Sequence, residues 1–120
     1  MRRYYLAYIV TSVANIYVIR SSTMPTYITL LNYTQQGMQD IGSSPARVEA
    51  ARKAIEEVGG ELLSFYVTMG RHDGIALMEL ADDKMAATVA LGIGKLGNVT
   101  TETMRAFTEE EFSEIVGHLG

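Results

Sequence analysis

The sequence carries Gly70-Arg71-His72-Asp73 and, further on, Leu96-Gly97-Asn98-Val99-Thr100-Thr101-Glu102-Thr103-Met104-Arg105-Ala106-Phe107. Each stretch leads into a predicted strand, where a backbone turn places polar groups at the rim of a sheet. The first is predicted as a tight turn between two strands, and Asn98–Phe107 as a later strand. The two stretches decide the fold, because they place a hairpin and a final strand on either side of one helix.

Apolar periodicity predicts the elements before this hairpin. Thr26–Tyr33 is rich in β-forming residues and is predicted as the first strand of the domain. Gln35–Ser43 follows as a polar loop, and Ser44 is the expected N-cap of a helix with Pro45 in its first turn. Gly59 and the glycine after it end this helix. Its inward stripe is Val48, Ala51, Ile55 and Val58.

The second half repeats the pattern. Leu62–Met69 and Gly74–Leu80 are the two strands of the hairpin, and Asp82 caps the next helix. Thr108 and Glu111 have the spacing of a capping box and begin a last helix. The inward residues of the middle helix are Met85, Val89, Ile93 and Leu96. Those of the last helix are Phe112, Ile115, Val116 and Leu119.

The element order is therefore β-α-β-β-α-β followed by one further helix. This is the ferredoxin-like, split βαβ plan of the α+β class. It predicts a four-stranded antiparallel sheet with both helices on one face. The other face is bare unless something covers it.

Strand composition suggests what covers the bare face. The wholly apolar set, assigned beneath the helices, is Leu63, Phe65, Val67, Met69, Ala76, Met78, Leu80, Ile28 and Leu30. The alternate set mixes Tyr, Leu, Ile and Thr and is too apolar to face water alone. For Asn98–Phe107 both faces are mixed, and the pattern leaves its orientation open. We expect a second copy of the chain to cover the mixed face, giving a homodimer or a larger ring with a cavity between or beneath the sheets.

Composition narrows the function classes. The 120 residues are 48% apolar and 20% charged, which is typical of a single soluble globular domain. The chain has no cysteine, so it has no disulfide and no zinc–thiolate site. The net charge of −4 makes nucleic acid an unfavourable partner. No phosphate-binding loop, dinucleotide fingerprint or metal-ligand spacing is present in the sequence, so no cofactor and no metal is predicted.

Residues 1–23 differ in composition from the rest, and 24–120 are predicted as the domain. Arg2 and Arg3 precede an apolar run, Tyr4–Ile19. A signal peptide cleaved near residues 12–14, an upstream extension before Met24, a membrane anchor and an added strand all remain open. We expect a cytoplasmic protein, or an exported one if residues 1–20 are a signal peptide, and no membrane partner for the core.

Chemistry-bearing side chains are few. His72 and Asp73 could act as a general base and acid, although neighbours on a strand point to opposite faces and Asp73 could instead bind the turn backbone. Acids inside strands and tyrosines beside a sheet could line a ligand cavity, or serve as edge and interface residues. The candidate ligand-binding residues are Tyr27, Tyr66, Glu79, Glu102 and Arg105.

Met24–Phe107 resembles the GYD domain family. The segment Leu96–Phe107 matches the family's Leu-Gly-Asn-Val-x-Thr-Glu-Thr-x-Arg-Ala-Phe, and Gly70 and Asp73 match its Gly-x-Tyr-Asp turn, with His72 in place of the tyrosine. The resemblance implies a dimeric α+β barrel, related in fold to small monooxygenases, muconolactone-isomerase-like enzymes and ligand-sensing modules. It implies no single activity.

Three functions are consistent with these features. The first is an oligomeric module that binds an unknown small molecule, with a binding or regulatory role. The second is a cofactor-free monooxygenase or isomerase that uses His72 and Asp73. The third is a protein that serves assembly alone. A roomy pocket containing His72 or a glutamate would favour the enzyme.

Overall fold

The computed structural model describes residues 5–11, 16–21 and 24–120. Near the N-terminus, β1 (Tyr5–Thr11) and β2 (Ile16–Ser21) pair antiparallel in a two-stranded sheet of their own. The candidate cleavage site at residues 12–14 lies outside the described residues. That residues 1–23 stand apart from the domain stays a prediction. Within the described residues, no helix is long and apolar enough to span a bilayer.

Four strands form the main sheet, in the order β4-β5-β3-β6. Every neighbouring pair is antiparallel, as predicted for the ferredoxin-like plan. The strands are β3 (Thr26–Tyr33), β4 (Glu61–Val67), β5 (Gly74–Glu79) and β6 (Val99–Ala106). The predicted fold is confirmed, and β3 has the predicted bounds.

Two main helices connect these strands, and a third follows them. They are α2 (Ser44–Glu57), α3 (Asp83–Gly94) and α4 (Glu109–Gly117). Asp82 accepts a hydrogen bond from the backbone of Met85, and Thr108 forms the capping box with Glu111, both as predicted. The N-cap of α2 is Ser43, not Ser44, and its side chain makes no capping bond.

The prediction of a loop over residues 35–43 is wrong. The segment forms a short helix, α1 (Gln35–Gln39), and one turn of 3₁₀ helix, Ile41–Ser43. Thr34 starts α1, because its hydroxyl accepts a hydrogen bond from the Gly37 backbone at 3.1 Å. A side chain at Gly37 would collide with the backbone of Asn98, so α1 packs directly on the start of β6.

The face prediction for β3 is wrong. Tyr27 and Thr29 lie beneath the helices and are 2% and 5% exposed, whereas Ile28 lies on the other side of the sheet. Polar side chains can be buried when their polar atoms are bonded. Here the Tyr27 hydroxyl donates to Asp83 Oδ1 at 2.5 Å, and the Thr29 and Thr103 hydroxyls lie 2.8 Å apart.

The face prediction for β4 is also wrong, because the strand contains a bulge. The pairing with β5 shifts between Leu62 and Ser64, so Leu62 and Phe65 share the face beneath the helices while Leu63 is 36% exposed. Met69 lies beyond the end of the strand and is 99% exposed. The core that results is Tyr27, Ile55, Leu62, Ala76, Met78, Leu80 and Ala86.

The register also settles the orientation of β6. Arg105 lies opposite Tyr27 and Thr103 opposite Thr29, so both point to the helix side, while Glu102 and Met104 point away. The inward stripe predicted for α4 is wrong. Its apolar residues are exposed by 43–80%, namely Phe112, Ile115, Val116 and Leu119. Leu96 at 62% and Val58 at 40% are also more exposed than predicted.

Candidate functional site

A cleft of about 400 Å³ lies between α2 and α3, above the centre of the sheet. We call it the interhelical cleft. Its floor comes from β3, β5 and β6 and its two walls from the helices. The residues that shape it are Thr29, Leu31, Ala76, Met78 and Thr101 in the floor, Val48, Ala51, Ala54 and Ile55 on α2, and Val89, Gly92 and Ile93 on α3.

Helix positions and small side chains together create this space. α2 packs along β4 and α3 along β6, which leaves the central strands without a helix directly above them. From α2 the cleft is lined by Ala50, Ala51 and Ala54, and from α3 by Gly92, where a Cβ would meet nothing within 4 Å. These side chains are too short to bridge the gap, so the cleft stays open. The volume lies in the range of small-molecule pockets.

The few polar groups in the cleft are suited to orienting a ligand. The Tyr33 hydroxyl lies 2.9 Å from Ser44 Oγ and closes one end. Among the described residues that line the cleft, Arg47 contributes the one charge, and it already donates to the backbone oxygens of Asp40 and Gly37 at 3.0 and 3.3 Å. That same lining contains no carboxylate and no histidine. The cleft can therefore bind and orient a ligand, and within its described lining Tyr33 is the one residue whose side chain could serve as a general acid or base.

His72 and Asp73 lie outside the interhelical cleft, in the turn between β4 and β5. Asp73 Oδ2 accepts a hydrogen bond from the Tyr33 backbone at 2.9 Å, and the Asp73 carbonyl accepts one from Thr68 at 2.9 Å. His72 Nδ1 lies 3.0 Å from Asn32 Oδ1. These contacts join the turn to β3, and the Asp73 carboxylate accepts from the backbone of that strand and not from the turn itself.

Asp73 also borders a second, more open space of about 680 Å³, which we call the end groove. The groove is walled by α1, the start of α2 and the end of β4, and its exposed apolar residues include Met38, Ile41 and Val67. His72 is not among its lining residues. The Asp73 carboxylate accepts a hydrogen bond from the Tyr33 backbone through Oδ2, and Glu49 is the other carboxylate that lines the groove.

Tyr27 and Arg105 do come together. The Arg105 guanidinium lies 5.9 Å from the Tyr27 ring centre and 4.4 Å from that of Phe107, and 3.3 Å from Glu111. Burial, and then the hydrogen bond to Asp83, raise the pKa of Tyr27 to about 12. The backbone hydrogen bond from Thr108, followed by Arg105, lowers the pKa of Glu111. This cluster ties β3 to α3 and β6 to α4.

The other three candidate residues lie on the far side of the sheet. Tyr66 on β4 is 60% exposed, and Glu79 and Glu102 pair with β3 at Thr26 and Leu30 respectively. Three residues of β3 lie between those two positions, so the two glutamates pair with separate parts of the strand. The structure brings together only Tyr27 and Arg105 of the five candidate ligand residues.

This far side is apolar at its centre. We call it the open sheet face, and it consists of Ile28, Leu30, Ile75, Leu77 and Met104. α2 and α3 both lie on the opposite side of the sheet. All five side chains remain partly exposed, Met104 by 38%. The interhelical cleft was not predicted from the sequence, although Ala50, Ala51 and Ala54 on one helix could have indicated it.

Comparison with known proteins adds to this geometry. The family model for the GYD domain matches residues 27–116 of this chain. A relative from Thermus thermophilus, named glutamine synthetase and cystathionine beta-lyase binding protein, is 27% identical over 84 residues, which are 69% of this chain and 88% of that one.

Two solved structures are similar to this chain. The leucine response regulatory protein LrpA of Mycobacterium tuberculosis has a TM-score of 0.54 and 19% identity, over 70% of this chain and 51% of its own. This chain therefore spans about half the length of that regulator. A protein of Thermus thermophilus is 30% identical over 71% of this chain and 95% of its own, with a TM-score of 0.45. The regulator's likeness shows the ferredoxin-like fold and nothing further.

Proposed function

We propose that this chain, which belongs to the GYD domain family, is a homo-oligomeric, non-catalytic binding module that holds a small, mainly apolar molecule in the interhelical cleft. The relative named as a binding protein supports a binding or regulatory role. That relative is named for binding two enzymes. By analogy, we propose that occupancy of the cleft in this chain regulates its association with another protein.

The observation that carries the proposal is the composition of the cleft wall. About 400 Å³ is lined mostly by aliphatic and alanine side chains, with the hydroxyl groups of Thr29 and Thr101 in its floor and that of Tyr33 at one end. An apolar body with one or two hydrogen-bonding groups fits such a wall, because burial of apolar area supplies affinity and the hydroxyls supply orientation.

The same wall argues against an enzyme at this position. Acid–base catalysis needs a titratable group within about 3 Å of the reacting proton. The described lining of the cleft has no carboxylate and no histidine, and Asp73 is engaged with the Tyr33 backbone elsewhere. For His72 and Asp73 the contacts support a structural role in the turn.

Self-association through the open sheet face is the second part of the proposal. β3 and β5 are eight and six residues long, so at about 3.3 Å per residue and about 4.8 Å between strands the whole four-stranded face covers roughly 400 Å², and its apolar residues occupy the centre of that area. An apolar patch of a few hundred Å² commonly marks an interaction site. Packing against the same face of a second copy would give the dimeric barrel that the family resemblance implies.

A cleft-filling substitution tests the binding function. Ala51→Leu places a larger side chain in the cleft, and Ala46→Leu makes the same change at an exposed position of α2 that does not line it. We expect the apparent affinity for the fluorescent probe 1-anilinonaphthalene-8-sulfonate to fall at least tenfold in Ala51→Leu and less than twofold in Ala46→Leu. Thermal unfolding would confirm that both variants fold. Equal affinity in the two variants would rule out the cleft as the binding site.

A further inference from the structure

One row of side chains crosses the open sheet face from edge to edge. The pairing register aligns, in order across the four strands, Tyr66 of β4, Ile75 of β5, Leu30 of β3 and Glu102 of β6. The row therefore has a hydroxyl donor at one edge and a carboxylate acceptor at the other. Three strand spacings, about 14 Å, separate Tyr66 from Glu102, so these two side chains cannot bond each other within one chain.

The two ends of this row are available for a contact outside the chain. Tyr66 is 60% exposed, and Glu102 is exposed as well. Neither side chain makes a hydrogen bond or an ion pair with a residue that the structure describes. The donor at one edge and the acceptor at the other therefore both point to solvent beside an apolar centre.

Any partner that covers the open sheet face has to provide a donor for Glu102. A carboxylate that loses water without a hydrogen-bond donor is strongly unfavourable. Among the residues of the four main strands the one cation is Arg105, and it points to the helix side. A second copy that packs with its own open sheet face therefore has no strand cation to place beside Glu102. It does have the Tyr66 hydroxyl, on the longest of the hydroxyl side chains in the sheet.

Two-fold symmetry brings the two ends of the row together. Homodimers most often use the same face of both copies, related by a two-fold axis. If this axis runs parallel to the strands, between β5 and β3, then β4 of one copy lies over β6 of the other. Tyr66 of each copy then lies opposite Glu102 of the other, and Ile75 opposite Leu30. Packed sheets lie about 10 Å apart, a gap that tyrosine and glutamate, the two longest side chains of the row, can bridge together.

The other arrangement with aligned strands leaves Glu102 without a donor. Its two-fold axis runs across the strands through the apolar centre, so that β6 of one copy lies over β6 of the other. The register then places Glu102 opposite Met104 and Tyr66 opposite Ser64. A thioether has no hydrogen to donate to a carboxylate. The axis parallel to the strands is therefore the favoured one.

We propose that two copies of this chain pack by their open sheet faces with the two-fold axis parallel to the strands, and that Tyr66 of each copy donates a hydrogen bond to Glu102 of the other. The inference rests on the self-association in the proposed function and adds the orientation of the two copies. Burial of the apolar centre supplies affinity, and the two hydrogen bonds at the edges fix the orientation.

Cross-linking between engineered cysteines tests this orientation, because the chain has no cysteine of its own. Full-length Tyr66→Cys is mixed with differently tagged Glu102→Cys and treated with bismaleimidoethane, since packed sheets are about 10 Å apart and a disulfide is too short. In the mixed dimer one edge holds both cysteines and the other keeps the natural pair. The matched controls combine two tags of Tyr66→Cys alone or of Glu102→Cys alone, which places the cysteines at opposite edges. We expect at least fivefold more product between tags in the mixture than in either control.

Equal yields in the mixture and the controls, or the highest yield from Glu102→Cys alone, would overturn the proposed orientation. Sedimentation of the full-length protein separates this inference from the proposed function. An oligomer without the cross-link between positions 66 and 102 would defeat the orientation alone. A monomer at every concentration would defeat self-association itself, and would leave the open sheet face to a different partner.

A double-mutant cycle measures the hydrogen bond itself. We expect Tyr66→Phe and Glu102→Ala each to raise the dissociation constant of the dimer at least fivefold, and the double variant to raise it no further, because both changes remove the same bond. Glu110→Ala, which removes an exposed carboxylate from α4, should leave the constant within twofold of wild type. Effects that multiply in the double variant, or an unchanged constant in Tyr66→Phe, would overturn the contact between Tyr66 and Glu102.

Discussion

Replacing Tyr27 by phenylalanine tests how the sheet holds the helix that forms one wall of the cleft. Tyr27 is 2% exposed, and its hydroxyl bonds Asp83 in the first turn of α3 at 2.5 Å. Hydrogen bonds to charged groups contribute about 1.5–3 kcal/mol when the partner stays buried. Asp83 is exposed and can be rehydrated in the variant, so we expect a loss of about 1 kcal/mol at pH 7.

The same bond predicts a pH dependence. The pKa of Tyr27 is raised from 10.0 to about 12 by burial and by Asp83. Between these values the unfolded phenol loses its proton while the folded phenol keeps it, so the free energy of unfolding falls as pH rises. The full shift corresponds to about 2.7 kcal/mol, and access of water to Asp83 reduces this to roughly 1–2 kcal/mol.

The assay is urea unfolding of the wild-type protein and Tyr27→Phe at pH 7, 10 and 11.5. Other tyrosines and lysines titrate equally in both proteins, so their effects cancel in the difference. The two stabilities should converge as pH rises, and the phenylalanine variant should become the more stable or equal one. A difference that stays constant across these pH values would refute the bond between Tyr27 and Asp83 as the link between sheet and α3.

Two further substitutions test the turns that frame the site. Gly37→Ala should destabilise the protein by about 1–3 kcal/mol, because the added methyl would overlap the backbone of Asn98, whereas Gly42→Ala meets nothing within 4 Å and should be near neutral; equal thermal shifts would contradict the packing of α1 on β6. Asp73→Ala leaves the Tyr33 backbone donor unbonded and should cost about 1–3 kcal/mol in urea unfolding while leaving probe affinity within twofold. Unchanged stability would instead favour a chemical role for this carboxylate.

Most of the architecture could be predicted from local patterns in the sequence. Each predicted strand formed, and Asp82 and Thr108 cap their helices as expected, because a cap depends on residues three positions away. The sequence did not predict α1, although Thr34 is a residue type that commonly caps a helix. The cap formed by Thr34 depends on a second contact, the packing of Gly37 on Asn98. Such a contact joins residues far apart in the chain.

Side-chain direction was the part that the sequence left undetermined. A single bulge after Leu62 changes which residues of β4 face the helices, and no residue type in the sequence indicates the position of this bulge. Tyr27 lies on the face opposite to the predicted one, because the Asp83 partner that allows its burial lies 56 residues away in the sequence. Phe112 and its neighbours remain exposed, since the Arg105–Glu111 contact holds α4 only at its first turn.

The cleft was beyond sequence reasoning for a related reason. A space between two helices depends on where each helix packs on the sheet, and Ala51 or Gly92 alone could equally permit close helix contact. The candidate ligand residues all carry polar groups, whereas the cleft is lined mostly by apolar side chains. Polar candidate residues would suit acid–base catalysis, whereas the mostly apolar cleft suits the binding function proposed here.

Native mass spectrometry of the purified full-length protein tests the central claim most directly, because it reports subunit number and retained small molecules together. We predict an assembly of more than one chain with an apolar molecule bound, and loss of that molecule in Ala51→Leu while the assembly remains. A bare monomer, or a bound molecule that Ala51→Leu does not displace, would contradict a binding module built around the interhelical cleft.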